Sequence, residues 1–144
     1  MLNTKLNRPS LSKDLLYRSH LARKLEENSH LPLILISAPA GYGKSVLVSQ
    51  WLNYYQKDFS WLSLDESMND TSTFISYLIN SLEKSGDAKK IQRIFKNKQE
   101  LHYLSWEAII NRIVNSVNQL QKDVRLVLDD YHLIKNPDIH QLVN

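Results

Sequence analysis

An apolar run followed by a short glycine-containing loop is the feature that most restricts the fold of this chain. Residues 33–36 read Leu-Ile-Leu-Ile, a run typical of a strand that is buried on both faces of a parallel sheet. The loop Ala38–Ser45 follows, with two of the three glycines in the sequence. Apolar residues then fall near helical spacing, which predicts a helix over residues 44–57. The order strand, loop, helix indicates an α/β fold.

The remaining periodicity predicts an alternation of helices and strands. Leucine spacing predicts a helix over residues 14–28, and two further strands are predicted over residues 59–64 and 124–128. Later helices are predicted after residue 70, over residues 105–121 with Ser105 as N-cap, and from Pro137 onward. The alternation indicates a parallel sheet with helices on both sides, a three-layer α/β sandwich.

Composition argues against several classes of function. The 144 residues include no cysteine, and the five histidines are not at ligand spacing, so a metal site built by protein ligands alone is not expected. The longest apolar run is too short to cross a membrane and the N-terminus lacks a signal-peptide pattern, so we expect a cytoplasmic protein. The net charge of +3 is small, and the basic residues of 87–98 alternate with apolar ones as on a solvated amphipathic helix. We therefore expect no direct binding to DNA or membranes.

The loop Ala-Pro-Ala-Gly-Tyr-Gly-Lys-Ser at residues 38–45 fits the phosphate-binding loop pattern, with alanine at its first position. Gly41 and Gly43 allow backbone N–H groups to point inward around an anion, and the following helix adds its N-terminal N–H groups. Lys44 supplies a positive charge for the β- and γ-phosphates, and Ser45 supplies a hydroxyl for Mg²⁺. The alternative is a glycine-rich turn with an incidental lysine. The flanking strand and helix favour the phosphate loop.

The third predicted strand ends in two acids, Asp129 and Asp130. The C-terminal edge of a parallel sheet is where the ligands of such folds bind. We expect Asp129 to hold Mg²⁺, directly or through water, and Asp130 to orient or deprotonate the attacking water. Taken alone, two acids at a strand end are more often a solvated turn. The loop at residues 38–45 is what favours a site.

Several stretches together carry a resemblance to a known family, and they run KLNRP, SAPAGYGKS, SQWL, WLSLDE, ND...F..YLI (beginning at Asn69) and LVLDDYHLIKNPDIH. They resemble the N-terminal ATPase segment of MalT-type regulators, which are the large ATP-binding members of the LuxR family and STAND P-loop NTPases. The resemblance covers nearly the whole chain. It implies a segment that binds ATP or ADP with Mg²⁺. In full-length members this segment precedes a sensor region for an inducer and a helix-turn-helix domain, and the protein self-associates and activates transcription at promoter DNA.

The resemblance also assigns roles to individual residues. Ser45 and Asp129 match the Mg²⁺ positions, and Asp130 matches the water-polarising acid. Arg18 falls where the family places a residue near the nucleotide base. The positions expected to contact the nucleotide are Ala40, Gly41, Tyr42, Gly43, Lys44, Ser45, Val46 and Arg18.

The same resemblance predicts how the chain is divided. Residues 1–30 would be an N-terminal arm and helix, and residues 31–144 a P-loop NTPase domain that is truncated after the strand carrying Asp129. The sensor and DNA-binding regions would be absent, as would the strand that inserts beside residues 33–36. We therefore expect an N-terminal fragment with a gap in its sheet, and marginal stability or aggregation because unpaired strand edges expose backbone groups.

Three functions are compatible with these features. The leading hypothesis is an ATP-binding switch module with slow or no hydrolysis. The second is a small self-sufficient P-loop ATPase or kinase, which the missing later strands and the missing lid-like arginine cluster disfavour. The third is an interaction protein that has lost nucleotide binding and pairs with partners through an exposed strand edge.

Overall fold

The computed structural model describes residues 3–12, 15–84, 105–119 and 123–143. These residues form an α/β structure. Its elements are α1 (Ser19–Glu27), α2 (Lys44–Tyr54), β1 (Ser60–Ser63), α3 (Thr71–Glu83), α4 (Trp106–Asn118), β2 (Leu126–Asp129) and α5 (Pro137–Val143), with short 3-10 turns at Asn3–Leu6, Glu66–Asn69 and Tyr131–Leu133. The chain divides into two units, one containing Arg8–Asp58 and the other containing the described parts of 1–7 and 59–144. None of the helices in these ranges combines the length and apolar character that a bilayer crossing requires.

The described sheet consists of β1 and β2, paired in parallel. Ser60 lies opposite Leu126 and Ser63 lies opposite Asp129. Two of the predicted strands and their parallel pairing are therefore confirmed. Burial on both faces holds only for β1, because in β2 Leu126 is exposed and the other three residues are half-buried.

The predicted strand over residues 33–36 is wrong. Residues 33–39 have no regular secondary structure, and the side chains of Leu33 and Leu35 are 61% and 81% exposed. A strand persists only where its N–H and C=O groups pair with a neighbouring strand. Neither β1 nor β2 pairs with these residues, so an apolar composition alone does not produce a strand here. The described residues thus contain a two-stranded sheet instead of the wider predicted one.

The larger unit is held together by an apolar core between α3, β1 and α5. Four of its side chains are fully buried: Leu62, Met68, Phe74 and Ile139. The helical spacing of the apolar residues predicts that α3 has one apolar side. That side packs on this core, and the opposite side of the helix faces solvent. The core therefore fixes the two strands against α3.

Local capping signals place the starts of several helices. Asp70 accepts hydrogen bonds from the backbone N–H of Thr73 (2.8 Å) and from the Ser72 hydroxyl (2.6 Å), which starts α3. Ser105 accepts from Ala108 N (3.3 Å) at the start of α4, as predicted.

The first predicted helix exists but begins at Ser19, five residues later than its spacing indicated. The expected basic helix over residues 87–98 lies outside the described residues.

We expect the folded state to lose stability in acid because two capping aspartates titrate, Asp65 at the start of the 3-10 turn Glu66–Asn69 and Asp70 at the start of α3. Hydrogen bonds from Lys5 and Ser67 lower the pKa of Asp65, and those from Ser72 and Thr73 lower the pKa of Asp70. Since both folded-state pKa values lie below the unfolded-state value of about 4, the stabilisation is complete above that pH and disappears as the pH falls through the folded-state values.

Urea unfolding measured between pH 6 and pH 2 checks this prediction, with Asp70→Asn as the matched variant. Asparagine is also a good N-cap but does not titrate in this range. The variant should therefore lose less stability on acidification than the wild-type chain. A variant whose stability falls as steeply as that of the wild type would contradict the assignment.

Candidate functional site

The loop before α2 has the backbone shape that its glycines predict. Gly41 and Gly43 both have positive φ, at 82° and 73°, a conformation that glycine adopts without steric cost. Gly43 is the N-cap of α2, and the first helical hydrogen bond runs from Leu47 N to Gly43 O (2.9 Å). A β-carbon built on Gly41 would meet nothing within 4 Å. The loop is therefore open at Gly41, and the N-terminal turn of α2 begins directly behind it.

The Lys44 side chain folds back over this loop. Its ammonium group donates hydrogen bonds to Ala38 O (2.8 Å) and Pro39 O (3.1 Å). Both acceptors are neutral carbonyl groups on exposed residues. The positive charge thus lies on the loop, where its two hydrogen-bond acceptors are neutral carbonyl oxygens and not anions.

The segment before α1 is fixed against α2. Gln50 Nε2 donates to Leu16 O (3.0 Å), and the rings of Tyr17 and Tyr54 stack with centroids 5.1 Å apart. These two contacts hold the backbone immediately before Arg18 on the helix that starts at the loop. Position 18 therefore has a defined place relative to the loop.

The Arg18 guanidinium reaches the loop itself. Its Nη1 donates to Tyr42 O at 2.8 Å. A β-carbon on Gly43 would lie 3.4 Å from Arg18 Nη2, so the guanidinium lies against the glycine that precedes Lys44. The resemblance predicts that this residue lies near a nucleotide base; in the structure its guanidinium lies beside the loop at residues 38–45.

In the other unit, the two acids lie at the C-terminal edge of the sheet, as their position after a strand predicts. Asp129 is half-buried and is the last residue of β2, where its carbonyl accepts from Leu64 N (2.9 Å). The carboxylate Oδ1 of Asp129 accepts from Asp130 N (3.1 Å). Asp130 is exposed and has a left-handed backbone (φ 58°, ψ 32°), which aspartate tolerates better than most residues. His132 Nδ1 lies 4.0 Å from Asp130 Oδ1.

A side-chain network around Asn69 was missed by the sequence analysis. Asn69 Oδ1 accepts from Lys135 N (2.6 Å) and Asn136 N (3.1 Å). Its Nδ2 donates to Glu66 O (3.1 Å) and Leu133 O (3.0 Å), and its backbone carbonyl accepts from Asn136 Nδ2 (2.8 Å). One asparagine therefore ties the turn after β1 to the segment after β2.

This network fixes the backbone that follows the two acids. A second contact reinforces it, because Tyr131 Oη and His140 Nδ1 share a hydrogen bond of 2.7 Å. The Tyr131 side chain is partly buried there, and this burial raises its pKa. Asn69 and Asn136 both belong to stretches that carry the family resemblance, but neither lies on a periodic apolar stripe. The only signal in the sequence was the asparagine before a proline at Asn136, which predicted the start of α5.

Comparison with known proteins gives a consistent set of relatives, although no family profile matches the chain. Proteins named HTH-type transcriptional regulator MalT from Klebsiella pneumoniae subsp. pneumoniae and Serratia proteamaculans are each 36% identical to it, over 97% and 98% of its length. The protein of that name from Yersinia enterocolitica is 35% identical over 98% of the chain. The chain spans 15% of the length of each relative. Over nearly its whole length, this chain is a homologue of part of the MalT-type transcriptional regulators, as its motifs predicted.

Proposed function

We propose that this chain is the ATP-binding switch segment of a MalT-type transcriptional regulator, with a fold of the P-loop NTPase type. The loop at residues 38–45 carries the proposal, because two left-handed glycines and the Lys44 ammonium lie together at the start of α2. The regulatory half of the proposal is supported by the relatives, which are named HTH-type transcriptional regulators.

The chemistry of the loop suits the phosphates of a nucleotide. Backbone N–H groups from Ala40 to Val46 would surround the phosphate oxygens, helped by the N-terminus of α2. Lys44 would exchange its two neutral carbonyl acceptors for charged phosphate oxygens, which accept stronger hydrogen bonds. Open space at Gly41 leaves room for an anion beside the backbone.

The Mg²⁺ part of the proposal comes from the resemblance. It assigns the ion to the Ser45 hydroxyl and the Asp129 carboxylate, and it assigns the water-polarising role to Asp130. Bound Mg²⁺ would neutralise charge on the β- and γ-phosphates. We propose slow or no hydrolysis, so that ATP acts as a signal more than as a substrate.

The partners of the whole regulator are proposals of the same kind. Because the chain spans 15% of its relatives' length, an inducer, self-association and promoter DNA would involve other parts of a full-length protein. The nucleotide state of this segment would be read by those parts. We therefore expect the segment itself to bind nucleotide but not DNA.

Thermal unfolding with and without nucleotide tests the proposal. A ligand that binds only the folded state at about 100 times its Kd adds about 2.7 kcal/mol of stability, which raises Tm by roughly 5 °C or more for a chain of this size. We expect this increase with ATP–Mg²⁺ and with ADP–Mg²⁺, but not with adenosine, because the phosphates supply the binding charge.

Lys44→Ala should lose most of this increase. Its matched control is Lys24→Ala, which removes an exposed lysine of α1 and should respond to ATP–Mg²⁺ as the wild type does. A cooperative transition whose midpoint does not move at millimolar ATP–Mg²⁺ would contradict nucleotide binding and favour the interaction-protein hypothesis. Rapid phosphate release by the purified chain would favour the ATPase hypothesis instead.

A further inference from the structure

The contact between Arg18 and the loop points to a second cation in the phosphate site. Arg18 Nη1 is bonded to Tyr42 O (2.8 Å), and the guanidinium lies beside Gly43, where an added β-carbon would be 3.4 Å from Nη2 and 3.8 Å from Cζ. Tyr42 and Gly43 are the two residues before Lys44. Two cationic side chains from different parts of the sequence therefore converge on one short loop.

The chemistry of the guanidinium suits an anion at this position. Arginine has five N–H donors in a planar fork that matches phosphate geometry, and the described contact with Tyr42 O uses one of its nitrogens. Like Lys44, Arg18 is bonded here to a neutral backbone carbonyl. A phosphate oxygen is a stronger acceptor than either carbonyl, so an anion in the loop would draw both side chains toward itself.

The fold delivers Arg18 to the loop through its neighbours in sequence. Leu16 O is held by Gln50 Nε2 (3.0 Å), and Tyr17 stacks on Tyr54 (5.1 Å). Both partners belong to α2, the helix that begins at the loop. The guanidinium thus extends from a backbone that is already fixed to that helix, which lowers the entropy lost when it binds an anion.

We propose that Arg18 binds the phosphate groups of the nucleotide together with Lys44 and does not recognise the base. The inference rests on the proposed function, since it needs a nucleotide in the loop. Arg18 contributes equally to all nucleoside di- and triphosphates, and discrimination between ATP and GTP comes from other residues.

Removal of this side chain leaves α1 able to form. The start of α1 uses the backbone carbonyl of Arg18, which accepts from Leu21 N (3.1 Å) and Ala22 N (3.0 Å), and the side chain makes no capping hydrogen bond. Arg18→Ala is therefore suitable as a test. Arg23→Ala is a matched control, because it removes the same charge from an exposed position of α1.

The test is the affinity of each variant for ATP–Mg²⁺, GTP–Mg²⁺ and inorganic pyrophosphate, measured by competition against a fluorescent nucleotide. Arg18→Ala should weaken all three by a similar factor of about 10 to 100, the loss expected for a hydrogen bond to a charged group. Arg18→Lys should recover part of the affinity, and Arg23→Ala should bind as the wild type does.

Other outcomes overturn the inference in distinguishable ways. A loss for ATP that spares pyrophosphate and changes the ratio of ATP to GTP affinity would assign Arg18 to the base. Unchanged affinity in Arg18→Ala would make its contact with Tyr42 purely structural. Failure of the folded wild-type chain to bind any of the three probes would overturn the proposed function along with this inference.

Discussion

Replacement of Lys44 by alanine will lower the affinity for ATP–Mg²⁺ by at least about 100-fold while leaving the chain folded. The ammonium would make two charge-assisted hydrogen bonds to phosphate, each contributing about 1.5–3 kcal/mol, and a 100-fold change in Kd corresponds to about 2.7 kcal/mol. The fold should survive, because the two bonds that Lys44 makes in the structure are to loop carbonyls on exposed residues. Alanine is also the strongest helix former at the start of α2.

Equilibrium dialysis with labelled ATP measures this loss, and far-UV circular dichroism establishes that the variant is folded. Lys24→Ala changes the net charge equally on an exposed part of α1 and should change the affinity by less than about twofold, since exposed charges interact weakly through solvent. Equal binding by Lys44→Ala and wild type would show that the loop does not hold the nucleotide.

Replacement of Asn69 by alanine will destabilise the larger unit by about 2–4 kcal/mol. The side chain makes four hydrogen bonds to backbone groups of Glu66, Leu133, Lys135 and Asn136, and each contributes about 0.5–1.5 kcal/mol net. The loss falls at the upper end if the four backbone groups that it leaves stay shielded from water. We expect the effect in the midpoint of urea unfolding followed by circular dichroism.

Two further variants make the Asn69 prediction specific. Asn69→Asp keeps the two bonds accepted by Oδ1 and loses the two donated by Nδ2, so it should fall between wild type and Asn69→Ala. Asn115→Ala removes an exposed asparagine from α4 and should change stability by less than about 0.5 kcal/mol. A cost below about 1 kcal/mol for Asn69→Ala would mean that water replaces the network without penalty.

The features that the sequence predicted correctly depend on local chemistry. Ser105 as N-cap of α4, the start of α5 at Pro137 and the helix after the glycine loop each follow from residues close together in the chain. Capping and glycine preferences act over a few residues, so they can be recognised without the fold. The position of the loop at the start of α2 was predictable for the same reason.

The features that the sequence did not predict depend on distant partners. Residues 33–36 have the composition of a strand but no described strand to pair with. Asn69 bonds to groups more than sixty positions away in the sequence, and Arg18 bonds to Tyr42 across a separation of 24. Such contacts are set by tertiary structure, which leaves no periodic signal in the residues themselves.

The most direct test of the account is a calorimetric titration of the folded 144-residue chain with ATP–Mg²⁺. The chain would first be shown to unfold cooperatively by circular dichroism. The account predicts saturable binding with a stoichiometry near one, carried by the loop that contains Lys44. A cooperatively folded chain that gives no saturable heat with ATP–Mg²⁺, and whose Tm is also unchanged by it, would contradict the central claim.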